Sequence, residues 1–197
     1  MKLKDLYRYV LNTHLSNLYI SEVGIDNLEE KDLIKLLDIT NSCLIDLHTR
    51  FPLKISTVLI QSIEWKSQYI LDSKYSILHG TEDVRYIADS LVHPFKDDVI
   101  KILGVTNEIG DPLPINDPEQ WASVFTPSFN VLQLTHPGYC QVFEVTYQAS
   151  HEVLDQNSLE EELNLPKQIL DLLAQMIAKE YFSGMSGQEI TNKTQAL

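Results

Sequence analysis

Apolar residues at both ends of the chain recur every three or four positions, the spacing typical of a helix that buries one face. The N-terminal set comprises Leu6, Tyr7, Val10, Leu11, His14, Leu15 and Leu18. Beyond Gly24, Asn27 and Glu30 have the spacing of a capping box and precede a second apolar stripe, which Pro52 ends. Residues 1–52 are therefore predicted to form N-terminal helices.

The segment from Leu165 to Phe182 has the same periodicity, with Pro166 in the first turn, where the missing N–H costs nothing. Its predicted buried face consists of Ile169, Leu172, Leu173, Met176 and Ile177. We assign 151–184 to a linker and a C-terminal helix, and 185–197 to a C-terminal tail. Because the stripes at the two ends match, we expect these helices to pack together.

Residues 53–150 are instead rich in β-branched and aromatic residues and read as strands. Strands are predicted in KISTVLIQSIEW, SQYILDSKYSIL, DVIKILGVTNEIGDPLP and SFNVLQLTHPGYCQVFEVTYQA. The last stretch is predicted to be a hairpin that turns at residues 136–138. The expected fold class is therefore α+β, with a helical bundle formed by N-terminal helices and a C-terminal helix, and a β-rich insert between them.

Four of the eight prolines fall in the stretch DPLPINDPEQWASVFTP, residues 111–127. Proline restricts φ, so this strap is expected to be stiff before it contacts anything. A single helical turn is predicted to place Trp121 and Phe125 on one side. Two roles remain open: Trp121 covers an edge of the β core, or it presents a contact surface. A metal-binding loop is less favoured, because the acids are not spaced to converge on one ion.

The net charge of −13 disfavours a grip on nucleic acid or on an anionic membrane. No run approaches eighteen apolar residues, and the charged N-terminus does not resemble a signal peptide. Cys43 lies in an apolar helical pattern and is expected to be a buried free thiol, although a disulfide with Cys140 stays open. Synthesis in a reducing cytoplasm is expected.

No nucleotide-binding or hydrolase motif occurs, and no two of the six histidines are closer than fourteen residues. We therefore expect no enzyme activity, no cofactor and no metal. The alternative hypothesis is a metal-dependent nuclease of the restriction-enzyme type, with Asp46 and the Glu64-x-Lys66 pair in its site. Against it, acid-x-lysine pairs arise by chance, and Asp46 falls in a predicted helix where such a site needs a strand.

The order of parts resembles that of the head-to-tail connector proteins, or adaptors, of tailed bacteriophages. The resemblance is carried by LEEKDLIKLLDITNSCLIDLHTRFPL, the β-rich insert that follows, and LPKQILDLLAQMIAKEYFSGMSG. It implies a structural protein of the virion neck, made in the host cytoplasm, that forms a homo-oligomeric ring of twelve copies. Such a ring binds the portal protein on one side and tail or nozzle proteins on the other. Double-stranded DNA passes through it without tight binding, and no membrane is involved.

The resemblance also implies two contact surfaces. The portal-binding residues are expected in the C-terminal tail, at Gln188, Glu189, Ile190, Thr191 and Leu197. The tail-binding residues are expected on the strap, at Trp121, Phe125, Asn116 and Asp117. An interaction module with no role in a virion remains the other non-enzymatic hypothesis.

Overall fold

The structure is a computed structural model that describes residues 1–18, 20, 24–92, 94–136, 138 and 141–184. These residues include three α-helices and two antiparallel sheets, so the prediction of a mixed α+β protein is confirmed. The chain divides into two compact units. A helical unit contains Met1–Arg50 and the described residues from Glu152 onward, and a β unit contains Phe51–His151.

The helices of the helical unit are α1 (Leu3–Thr13), α2 (Glu30–Arg50) and α3 (Lys167–Ser183), and α3 contacts both of the others. The first helix is shorter than its apolar stripe predicts, because Leu15 and Leu18 are buried beyond its end in a turn. The predicted capping box is also wrong. Residues 25–27 form a separate 3-10 turn, and α2 begins only at residue 30.

Two sets of polar contacts link elements of the helical unit within its apolar core. The Tyr7 hydroxyl lies 3.1 Å from Thr40 Oγ1, which itself donates to the Leu36 carbonyl. Burial raises the pKa of Tyr7 to about 12, so its hydroxyl stays protonated and can donate. The Asn41 amide donates to the Leu154 carbonyl and accepts from the Leu154 N–H, both at 2.9 Å. This pair of bonds ties the returning chain to α2.

The β unit contains seven strands in two sheets. The strands are β1 (Ile55–Gln61), β2 (Gln68–Ile70), β3 (Ile87–Ala88), β4 (Val99–Thr106), β5 (Val124–Ser128), β6 (Val131–Leu134) and β7 (Val142–Ala149). The first sheet has the order β3-β1-β7-β4 and the second the order β2-β6-β5. Alternate residues of β1 and β7 point inward, so that Val58 pairs with Val145 and Ile60 with Phe143 in the core.

The predicted hairpin at residues 136–138 is wrong. The strands on either side of this turn, β6 and β7, belong to different sheets. β7 lies between β1 and β4, whereas β6 forms its hairpin with β5. Glycine and proline mark where the chain can reverse, but the choice of partner strand depends on which register buries the apolar side chains. No helix in the described part of the chain has the length and apolar character that a membrane crossing requires.

Candidate interaction surface

The strap, residues 111–127, joins the edges of the two sheets. At its start, the Leu113 N–H donates to the Val105 carbonyl of edge strand β4 at 2.8 Å. A few residues later, Val124 of edge strand β5 donates to the Pro114 carbonyl, and Asn116 donates back to the Val124 carbonyl. Backbone hydrogen bonds therefore hold the first half of the strap between β4 and β5.

The second half of the strap is not helical. Residues 118–122 form turns, and Val124–Ser128 is strand β5. The expected helical turn with Trp121 and Phe125 on one side is thus wrong. Instead, Phe125 lies half-buried in the strand, opposite Gln133 of β6, while Trp121 lies in the exposed turn before it. Cross-strand pairing with β6 outweighs the local helical spacing here.

Asn116 and Asp117 shape the strap. Asn116 has a positive φ of 56°, which asparagine adopts more readily than most residues. Its side-chain amide donates to Thr126 Oγ1 and accepts from the Thr126 N–H, at 2.8 and 2.9 Å. The Asp117 carboxylate accepts from the Glu119 N–H and from the Gln120 side chain, both at 3.0 Å. Their polar groups are engaged within the strap itself.

Trp121 is 75% exposed although it lies among residues with fixed backbones. Its ring stacks on His136, with 4.4 Å between centroids and 27° between planes. The Thr135 hydroxyl lies within hydrogen-bonding distance of the Ser123 carbonyl at 3.0 Å, and Ser123 is fully buried. Trp121 therefore does not cover the core, and the structure holds a large aromatic side chain in solvent.

A hollow of about 210 Å³ opens beside Trp121. Its floor is apolar, with Leu113, Val124, Leu134 and Phe143, and Asn107, Thr135 and Gln141 add polar groups. A second, smaller hollow shares Asn107, Gln141 and Phe143 with it and extends to Ile109, which is 77% exposed. The two hollows together form a shallow depression bordered by exposed apolar side chains.

Trp65 is a further exposed aromatic residue, which the sequence reasoning missed. It lies at the tip of the loop after β1, is 89% exposed, and has a positive φ of 68°. A positive φ is an outlier for so bulky a residue. Its signal in the sequence is a large apolar residue between two charged ones, Glu64 and Lys66, at the end of a predicted strand.

Lys66 anchors this loop. Its ammonium lies 5.3 Å from the ring centroid of Tyr86 and 5.9 Å from those of Tyr69 and Tyr75, within the range of a cation–π contact. The Tyr69 hydroxyl accepts from the Ile63 N–H at 2.8 Å. Burial raises the pKa of Tyr69, which keeps its hydroxyl protonated and able to bond the Ile63 carbonyl as well. These contacts hold the loop in which Trp65 is exposed.

The exposed residues belong to one end of the β unit. The Ser62 hydroxyl donates to the Gly138 carbonyl at 2.6 Å and accepts from the Gln141 N–H, and Thr135 contacts the strap as described above. Thr135, Gly138 and Gln141 therefore join the Trp65 loop to the strap. We call this surface the tryptophan face; it consists of Trp65, Ile109, Trp121 and His136 with the loops that carry them, 62–67, 107–123 and the described residues of 135–141.

Other candidate residues from the sequence are buried or paired locally. Cys43 is a buried free thiol, as predicted. Asp46 pairs with Arg50 one turn along α2, at 2.8 Å. Within the described residues, no three His, Cys, Asp or Glu side chains are grouped so that they could hold a metal ion. The expected portal-binding residues, Gln188 to Thr191 and Leu197, lie outside the described residues.

No family model matches the chain, and no curated protein matches it either.

Proposed function

We propose that this protein is a structural adaptor of a bacteriophage neck, which joins a portal ring to tail components through surface contacts. The observation that carries the proposal is the tryptophan face. Trp65 and Trp121 are 89% and 75% exposed, and hydrogen bonds hold the loops that carry them. Tryptophan is the residue most enriched at the energetic centres of protein interfaces, and a rigid loop loses little entropy on binding.

In this proposal the helical unit is a bundle and the β unit is an insert that carries the tail-binding surface. Trp121 makes the central contact, and Phe125 of β5 is a second tail-binding residue. Asn116 and Asp117 act indirectly, because their side chains hold the strap in shape. Gln188, Glu189, Ile190, Thr191 and Leu197 bind the portal. No catalytic step is assigned to the protein.

The charge of the chain supports the same role. A net charge of −13 repels the phosphates of double-stranded DNA, so that DNA can pass through a ring without being held. A ring of twelve copies in the neck of the virion is the assembly that we propose.

Electron microscopy of the purified protein, alone and mixed with its portal, tests this function. We expect rings on portal particles from the full chain, and none from a chain that lacks 185–197. Trp121→Ala should leave portal binding intact and prevent the attachment of tail proteins. A protein that remains a monomer with portal present, or a truncated chain that still forms rings, would contradict the respective assignment.

A further inference from the structure

We infer that the tryptophan face binds a positively charged polypeptide segment, with an arginine or lysine side chain seated against Trp121. This inference rests on the contact function proposed above and adds the chemistry of the partner.

The three loops of the face are strongly acidic. They carry five carboxylates, from Glu64, Glu108, Asp111, Asp117 and Glu119. They contain no arginine, and their single lysine, Lys66, directs its ammonium over tyrosine rings. Asp117 is engaged in the strap turn, whereas the other four carboxylates belong to exposed residues. Within the described chain, none of these four makes a salt bridge.

An exposed indole on a surface whose loops carry several carboxylates favours a cationic partner. A guanidinium or ammonium over a tryptophan ring is attracted to the negative face of the ring, most strongly where neighbouring acids complement its charge. Stacking on His136 restricts the orientation of the Trp121 ring while most of that ring stays open to solvent. The apolar floor of the adjacent hollow, formed by Leu113, Leu134 and Phe143 among others, accommodates an aliphatic side chain from the same segment.

The same negative charges disfavour anionic partners at this face, and nucleic acid is one of these. A basic segment with apolar residues beside its cations satisfies both features of the surface, the acidic border and the apolar hollow. An arginine is favoured over a lysine, since its planar guanidinium stacks on an aromatic ring.

Intrinsic fluorescence tests the inference directly, because both tryptophans of the chain lie on this face. The full chain is titrated with an octapeptide of alternating arginine and leucine, and with matched lysine and glutamate peptides, at low and at high salt. A Trp65→Phe variant isolates the signal of Trp121. We expect saturable binding of the arginine peptide that weakens as salt rises, and none of the glutamate peptide.

A charge-matched pair of variants locates the site. Glu64→Gln/Glu108→Gln/Glu119→Gln should weaken binding of the arginine peptide about tenfold, the combined effect of three exposed ion pairs. The control, Asp38→Asn/Asp171→Asn/Glu180→Gln, removes the same charge from exposed residues of the helical unit and should change binding less than twofold. Circular dichroism checks that both variants are folded.

The inference is overturned if the glutamate peptide binds as well as the arginine peptide, if salt has no effect, or if both variants lose binding equally. It fails separately from the proposed function. If rings form on portal particles but the basic peptide does not bind, only the inference is contradicted. If the peptide binds in a salt-dependent way but the protein never joins a portal, the inference is supported and the adaptor role is contradicted.

Discussion

Replacing Trp65 with glycine should stabilise the protein while it weakens binding at the tryptophan face. The backbone of Trp65 has a φ of 68°, a region where a Cβ atom approaches the following carbonyl oxygen and costs about 1–2 kcal/mol. Glycine avoids this cost. Its greater conformational freedom in the unfolded chain, however, lowers the stability of the folded protein by about 0.5–1 kcal/mol. Because Trp65 is 89% exposed, its removal sacrifices little burial. The net expectation for Trp65→Gly is a stabilisation of about 0.5–1 kcal/mol.

Urea unfolding followed by circular dichroism measures this change, since the method does not depend on the removed indole. Trp65→Ala is the matched control: it removes the same side chain but keeps the Cβ atom, so its stability should stay within about 0.5 kcal/mol of the parent protein. A gain of about 0.5–1 kcal/mol corresponds to a rise of roughly 1–4 °C in Tm for a chain of this size.

Equal stability of the glycine and alanine variants would refute the reasoning that the Trp65 backbone is strained. A stabilised glycine variant with unchanged peptide affinity would show instead that the strain is unrelated to binding. Strain retained at an exposed aromatic residue is expected only where the residue has a function that outweighs the cost.

Further predictions concern the scaffold. Tyr86→Phe removes hydrogen bonds to both the N–H and the carbonyl of Ile70 and should cost about 1–3 kcal/mol in urea unfolding. Burial raises the pKa of Tyr86 above its ordinary value of about 10, so the unfolded chain loses this proton first; the free energy of unfolding should therefore fall as pH rises above about 10, and less steeply in the phenylalanine variant. Asn41→Ala should cost about 2 kcal/mol, because both of its hydrogen bonds to the returning chain are lost, and a change below 0.5 kcal/mol would contradict their importance. Burial raises the pKa of Cys43 to about 11, so in a Cys140→Ser background its thiol should react with a disulfide reagent at pH 8 only after urea is added.

Local periodicity was sufficient to predict the existence and type of the helices and strands that bury one face. The stripes ending near Pro52 and starting near Pro166 became α2 and α3, and the alternating residues of KISTVLIQ became β1. The reason is that the period of an apolar pattern follows from backbone geometry alone, 3.6 residues in a helix and two in a strand. The face predicted for α3 was only partly right: Leu173 and Ile177 are buried, but Leu172 is 37% exposed, and Leu170, Ala174 and Tyr181 are buried instead. Element ends were less accurate, as at Leu15 and Leu18, since burial continues where the helix does not.

The candidate site was only partly accessible from the sequence. The strap could be recognised from its prolines, and Trp121 from its position on the strap. Whether Trp121 covered the core or faced solvent depended on the path of the strap between β4 and β5, which long-range hydrogen bonds determine. Trp65 joined the surface because Gly138 and Gln141 bond to Ser62 of its loop, contacts between residues more than seventy positions apart.

The sequence by itself therefore determined the mixed α+β fold class, the broad order of helices and strands, and the acidity, because composition and short-range periodicity control these properties. The tertiary structure alone decided which strands pair, how β6 and β7 separate into two sheets, and which aromatic residues are exposed to solvent. The physical reason is that strand register and loop contacts are selected by the total burial of the folded chain, a quantity that no local segment contains.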